Sequence, residues 1–325
     1  MEPRTDLAEV TRTLRERGFR GRAETDHPLA PLTTYRLGGP ASLYLEPLDA
    51  GDLELLAGAA ESLSGLEVLV LGRGSNLVVS DDGWPGLVVR MGPGFAWAGP
   101  DGPSGLRAGG ALALPQLANS AARRGLAGVE FMVSIPGSLG GGVRMNAGAH
   151  GGAISDHLAS ATLFHLDTFE LETRPAAGLG LGYRTSNLTE RHLVVDAAFD
   201  LVADDPAAIR SRMDDYRRHR AATQPGALQN AGSVFKNPEG DHAGRLVVEA
   251  GLKGARCGGV AVSSLHANFF VAGEGARAQD VYDLVHLVRS EVQRRSGVSL
   301  TPEVRFVGSF HPAGRPRTEE VAGDG

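Results

Sequence analysis

Two glycine-rich stretches constrain this chain most: Leu71-Gly72-Arg73-Gly74-Ser75-Asn76 and Ile135-Pro136-Gly137-Ser138-Leu139-Gly140-Gly141-Gly142. Each follows or interrupts apolar sequence, the first directly after the strand-like Leu66-Glu67-Val68-Leu69-Val70-Leu71. Glycine lacks a Cβ, so such loops expose runs of backbone N–H groups that a diphosphate can approach closely. The second stretch runs on into Met145-Asn146-Ala147-Gly148-Ala149, another tight segment. Two such loops suit one large phosphate-bearing ligand held from two sides. Neither is a strict fingerprint. Gly72 to Leu77 reads GxGxxL, not the dinucleotide pattern GxGxxG, and no GxxxxGK[ST] occurs. Glycine is 45 of 325 residues, about twice the usual share of ~7%. Simple turns between strands therefore remain an equal reading of the loops alone.

The length allows two or three domains. With a net charge of −6 and no basic patch interleaved with aromatics, nucleic acid is not expected as a partner. The single Cys257 excludes an internal disulfide and a thiolate metal cage, and suits a reducing compartment. The ten histidines show no metal-type pairing, so no metal is expected. Residues 1–6 lack the apolar core of a signal peptide. No apolar run approaches the ~18 residues of a membrane span. A cytoplasmic location away from membranes is expected.

Apolar periodicity predicts a helix over 5–18, strands over 42–46, 66–71 and 86–91, and a helix over 50–62. A further helix starts near Pro115 and ends at Gly125. Strands are expected near 159–165, 168–174 and 192–201. Asp205-Pro206 opens a helix that leads into a third unit. That unit carries strands near 231–235, 258–263 and 268–272 and helices over 243–250 and 277–296. The last has Val281, Leu284, Val285, Val288 and Val292 on one face, closed by Gly297. The tail from His311 is polar and rich in proline and glycine, and is expected to be disordered.

Further motifs follow in order. They are Pro31-Leu32-Thr33-Thr34-Tyr35-Arg36-Leu37-Gly38-Gly39, Gly128-Val129-Glu130-Phe131 and Gly182-Tyr183-Arg184-Thr185-Ser186. Then come Ala231-Gly232-Ser233-Val234-Phe235-Lys236-Asn237-Pro238, Ala250-Gly251-Leu252-Lys253-Gly254, His266-Ala267-Asn268-Phe269 and Pro302-Glu303-Val304-Arg305. With the two glycine loops, this series resembles the UDP-N-acetylenolpyruvoylglucosamine reductases, flavoenzymes of the second committed step toward bacterial peptidoglycan. The match covers roughly residues 27–308.

The resemblance implies an α/β (α+β) fold of the vanillyl-alcohol-oxidase type. Two α/β units clasp FAD, and a third α/β domain binds substrate. The expected domains are 1–90, completed by 302–312, then 91–204, then 205–301, with 313–325 as the tail. FAD is expected to be non-covalent, with NADPH as co-substrate and a monomer as the working form. The FAD contacts implied are Tyr35, Gly72, Arg73, Gly74, Ser75, Asn76, Leu77, Ile135, Pro136, Gly137, Ser138, Gly140, Gly141, Asn146, Ala147 and Gly148.

The implied reaction reduces the enolpyruvyl ether of UDP-N-acetylglucosamine-enolpyruvate to UDP-N-acetylmuramate. Hydride reaches the methylene carbon, and negative charge develops on the neighbouring carbon and its carboxylate. Arg184 matches the cation that faces this carboxylate, with a planar fork suited to it. Ser233 matches the proton donor, and Glu303 a third catalytic residue that polarises the enol or carries the proton. Arg220 and Asn237 are expected to bind substrate, and His266 to be a structural hydrogen-bonder. Thr223 stands where the family often has a phosphate-contacting lysine, with Arg217, Arg218 and Arg220 nearby as replacements. His150 stands where the family often has tyrosine. The short stretch from Arg184 to Ser233 resembles the family's lidless type.

Two other functions share some of these features. A flavin oxidase of the same fold often carries a histidine in the first loop for covalent attachment, and Arg73-Gly74-Ser75-Asn76 has none. A catalytically silent flavin- or nucleotide-sugar-binding protein has no need of Arg184, Ser233 and Glu303 together.

Overall fold

The computed structural model describes residues 7–59, 63, 65–226 and 229–312. The proposed tail at 313–325 and the end of the helix expected over 50–62 lie outside the described residues. The described chain falls into two compact units. The first comprises the residues up to Pro28, Pro40–Ser75 and Trp84–Thr223. The second comprises Leu29–Gly39, Asn76–Gly83 and the residues from Gln224 on.

The first unit holds two large sheets, each with its own core. In the four-stranded sheet, Trp84–Val89 lies between Pro40–Glu46 and Val68–Val70 and runs parallel to both. Its Leu87, Val88 and Val89 are all buried, the continuous apolar run expected of a strand covered on both faces. The edge strand Arg22–Pro28, paired antiparallel to Pro40–Glu46, was not expected from sequence. Only Ala23 and His27 of its seven residues are buried, so it carries almost no apolar alternation. His27 stacks on Tyr44 with ring centroids 4.1 Å apart. The helix Ala50–Ala57 presents a fully buried acid, Asp52, which accepts hydrogen bonds from the backbone N–H groups of Arg20, Gly21 and Leu48.

The five-stranded sheet is ordered Leu171–Pro175, Leu158–His165, His192–Asp200, Gly105–Gly109, Ala98–Pro100, all antiparallel. The helix Leu114–Arg123 buries Leu114, Leu117, Ala118 and Ala121, and Gly125 follows it at φ +67°. The helix Pro206–Thr223 starts as predicted: Asp205 accepts from the N–H groups of Ala207 and Ala208. Its packing differs from the expectation. It was assigned to the third domain, yet Ile209 and Met213 lie in the core of the five-stranded half of the first unit. Arg212 holds it there with two hydrogen bonds to Glu130 Oε1, at 2.7 and 3.0 Å.

In the second unit, Arg256–Cys257, Val260–Val262 and Phe270–Ala272 form a small antiparallel sheet. Arg305–Val307 pairs in parallel with Leu77–Val79, the strand just after the first glycine loop. The helix Ala278–Ser296 buries the predicted stripe and ends at Gly297, at φ +74°. Asp81 caps it by accepting from the N–H groups of Ala278 and Gln279. The strand expected near 231–235 is absent. Gly232 sits at φ +75°, and only an isolated bridge from Phe235 to Pro302 forms. Left-handed glycine turns the chain out of any ladder at that point.

Candidate active site

In the first unit the two glycine loops meet. Ser138, buried, caps the helix Leu139–Arg144 by accepting from Gly141 N–H. A Cβ placed on Gly72 would stand 2.5 Å from Ser138 Oγ, so glycine lets the loop approach that hydroxyl without displacing it. Gly74 adopts φ +61°, the left-handed region that glycine enters without strain. Gly72, Arg73, Ser138, Gly140 and Gly141 line one cavity. Arg90 and Arg144, which the sequence did not point to, line it as well. Apolar strand ends at Val70 and Val194 complete it. Arg73 makes no hydrogen bond or ion pair among the described residues. Uncovered backbone, cations and apolar walls in one cavity match what a dinucleotide cofactor with a diphosphate requires.

Gly148 opens a short hairpin, and Asn146 and Ala147 precede it. Asn146 adopts φ +41°. Its side-chain amide donates to Gly182 O and Ser155 Oγ, and its oxygen accepts from Ser155 N–H. The Asn146 side chain therefore holds the Gly182–Thr185 turn. That turn closes through mutual backbone bonds between Gly182 and Thr185 and carries Arg184 at φ +54°. Arg184 donates from Nη2 to Gly148 O at 2.9 Å, and its guanidinium carbon lies 5.3 Å from the centre of the Tyr183 ring.

On the helix Pro206–Thr223, Arg217 pairs with Asp214 and donates to Asn119, and Arg218 pairs with Asp215. Both are occupied by neighbours. Arg220 donates to Ser134 O, one residue before the second glycine loop, and burial pushes its pKa down. Thr223 bonds back to His219 O within the helix.

In the second unit Ser233 and Glu303 are brought together through the backbone. Val234 O accepts from Glu303 N–H at 2.8 Å, and Val234 N–H donates to Asn268 O. The Asn268 side chain clamps Phe235 at both N–H and O, and Gly232 N–H donates to Asn230 Oδ1. Ser233 is thus held on both sides, while its own hydroxyl makes no hydrogen bond among the described residues. Asn76 reaches the same place, donating from its side chain to Glu303 O, with Arg305 N–H donating to Asn76 O. Leu77 is buried in the strand that pairs with Arg305–Val307.

Asn237 Oδ1 accepts from Ala243 N–H and caps the next helix, which leaves its NH2 for a ligand. His266 Nδ1 accepts from Asn268 N–H, the structural bond expected of it, and burial pushes its pKa down. Tyr35 departs from its expected role. It is fully buried in the core of the second unit with its hydroxyl donating to Phe270 O, so its side chain presents nothing to a cofactor.

Comparison with known proteins agrees with this geometry. Residues 41–167 match the FAD binding domain family. Residues 224–307 match the UDP-N-acetylenolpyruvoylglucosamine reductase C-terminal domain. UDP-N-acetylenolpyruvoylglucosamine reductase 2 of Symbiobacterium thermophilum is 45% identical over 89% of this chain and 93% of its own length. The reductase of Acidiphilium cryptum is 45% identical over 89% of this chain and 92% of its own. The crystal structure of the reductase from Thermus caldophilus superposes with a TM-score of 0.77 at 35% identity, over 89% of this chain and all of that one. The chain belongs to the UDP-N-acetylenolpyruvoylglucosamine reductase family, with its FAD-binding fold and characteristic C-terminal domain.

Proposed function

We propose that this chain reduces the enolpyruvyl ether of UDP-N-acetylglucosamine-enolpyruvate to UDP-N-acetylmuramate, using non-covalent FAD and NADPH. It is an FAD oxidoreductase of peptidoglycan synthesis, a UDP-N-acetylmuramate dehydrogenase. The working form in this reading is a cytoplasmic monomer. Among the described residues no helix is long and apolar enough to cross a membrane.

The glycine loops, with Arg73 and Ser138, hold the FAD diphosphate in the cavity they share. When bound, FAD supplies the hydride, taken from NADPH and delivered to the methylene carbon. Arg184, whose planar guanidinium rests on Gly148 O, meets the substrate carboxylate and stabilises the charge that spreads into it. The Ser233 hydroxyl, free of internal bonds among the described residues, gives its proton to the adjacent carbon. Hydride and proton together saturate the double bond. Glu303, fixed to Val234 beside Ser233, polarises the developing enol or returns the proton to the serine. Asn237 and Arg220 bind the nucleotide sugar.

The free hydroxyl of Ser233 on a backbone held by Asn268 and Glu303 is the observation that carries this reading. Incubation with NADPH and the enolpyruvyl substrate should yield one UDP-N-acetylmuramate per NADPH consumed. NADPH consumption without that product contradicts the reading.

Two expectations concern the cofactor. Unfolding in urea followed by filtration should release all of the yellow colour, since the first loop has no attachment histidine. Colour retained on the polypeptide refutes non-covalent binding. Gly74→Val should yield colourless protein, because a β-branched residue at φ +61° is strained and covers the loop's N–H groups. Full flavin loading of this variant, read from its absorbance, would remove the loop from the diphosphate site.

A further inference from the structure

We propose that His150 is a positioning residue for this reaction. Its imidazole fixes Ser134 at the entry to the second glycine loop and, through its own turn, the carbonyl on which Arg184 rests. The proposal builds on the reductase reading above.

Gly148–Ala149 and Gly152–Ala153 pair antiparallel and are joined by His150 and Gly151, at φ +54° and +84°. A two-residue hairpin with both central residues left-handed ordinarily takes Asn-Gly or Gly-Gly. Histidine is among the non-glycine residues that enter the left-handed region most often, and here its side chain also has partners. The ring stacks on Tyr216 at 4.2 Å and 12°, and meets His219 edge-on at 5.5 Å. Its Nε2 lies 3.1 Å from Ser134 Oγ.

The direction of that last bond follows from proton counting. Ser134 Oγ has one proton and donates it to Phe131 O at 3.0 Å. It therefore accepts from His150, whose Nε2 must carry a hydrogen. Arg220 donates to the carbonyl of the same serine. Ser134 is thus gripped at both oxygens, and Ile135 of the glycine loop follows it directly. At the other end of the hairpin, Gly148 O accepts from Arg184 Nη2. One imidazole braces the cofactor loop against the turn that holds the catalytic arginine.

The charged and titratable groups facing the ring come from the helix Pro206–Thr223: Tyr216, His219 and Arg220. Glu130, on the segment that carries Ser134, is taken by Arg212. Burial first, then His219 and Arg220, push the His150 pKa below its ordinary value of 6.5. The neutral Nε2–H tautomer and the imidazolium both donate from Nε2, so the bond to Ser134 persists in either form.

The test uses the FAD-loaded enzyme. His150→Phe keeps an aromatic ring for Tyr216 but has no donor. His150→Gln carries an amide nitrogen where Nε2 lies and does not titrate. His150→Phe should slow flavin reoxidation by the enolpyruvyl substrate about 3- to 10-fold at pH 8, the usual net worth of a neutral hydrogen bond. His150→Gln should restore the rate to within about 2-fold at the same pH. A His150→Phe rate equal to wild type, or a His150→Gln rate as low as that of His150→Phe, overturns the proposal. Nitrogen-15 NMR of labelled histidines gives a readout independent of turnover. His150 should show a protonated Nε2 and a lowered pKa, and Ser134→Ala should lower that pKa further and release the tautomer. A His150 signal indifferent to Ser134→Ala overturns the proposal even if His150→Phe fails to load flavin. Failure of the reductase reading would show separately, as a wild type that makes no UDP-N-acetylmuramate.

Discussion

Ser233→Ala should load FAD and accept hydride from NADPH at near wild-type rates, yet lose about 10²–10⁴-fold in reoxidation by the enolpyruvyl substrate, the usual worth of a positioned general acid. That loss is roughly 3–5 kcal/mol of transition-state stabilisation. The structure makes the substitution clean. The hydroxyl makes no internal hydrogen bond among the described residues, so its removal strands no partner. The local backbone is held by Asn230, Asn268 and Glu303, none of which uses the serine side chain. Ser233→Cys should recover part of the rate, since a thiol still donates a proton, though its larger sulfur shifts the geometry. Stopped-flow absorbance of each half-reaction separates the steps. Reoxidation of the alanine variant at the wild-type rate would make Ser233 a turn residue and move the donor to Glu303.

Arg184→Lys should also keep its flavin and fail selectively in the second half-reaction, by about 10²-fold, the low end for loss of one charge-stabilising donor. Lysine has the same Cβ, so the left-handed turn at φ +54° is no more strained than before. The side chain of Asn146 still holds that turn through Gly182 O. The loss is the planar fork, which bonds Gly148 O and, in the proposed role, also meets the substrate carboxylate. A point charge on a flexible stem does not do both. Slowed reduction by NADPH with normal reoxidation would instead assign Arg184 to the nicotinamide.

The elements that sequence reveals are those whose periodicity is set by their own burial. Val281, Leu284, Val285, Val288 and Val292 mark the long helix because one face meets a core along its whole length. Arg22–Pro28 leaves no such mark, since it is an edge strand held by backbone bonds with two buried side chains. The helix Pro206–Thr223 was legible from Asp205 and Pro206, but its destination was not. Which core takes Ile209 and Met213 depends on Glu130, distant in sequence, meeting Arg212.

The same distinction runs through the site. Gly72 and Ser138 were readable as parts of two loops for one ligand, and the structure brings them into contact. The resemblance implies cofactor contacts at Tyr35 and Asn146. Their partners, Phe270 O and Gly182 O, come from far along the chain. Burial alone pushes the Tyr35 phenol pKa far up. Arg90 and Arg144 reach the cavity from a strand end and a helix end that no local pattern distinguishes.

The most direct test of the account is an anaerobic two-step titration of the purified yellow protein. One equivalent of NADPH should bleach the flavin band. Addition of UDP-N-acetylglucosamine-enolpyruvate without oxygen should then restore it fully, with one UDP-N-acetylmuramate formed per flavin. A bleached flavin that recolours only when air is admitted, with the enolpyruvyl ether recovered unchanged, would contradict the account and mark the protein as an oxidase.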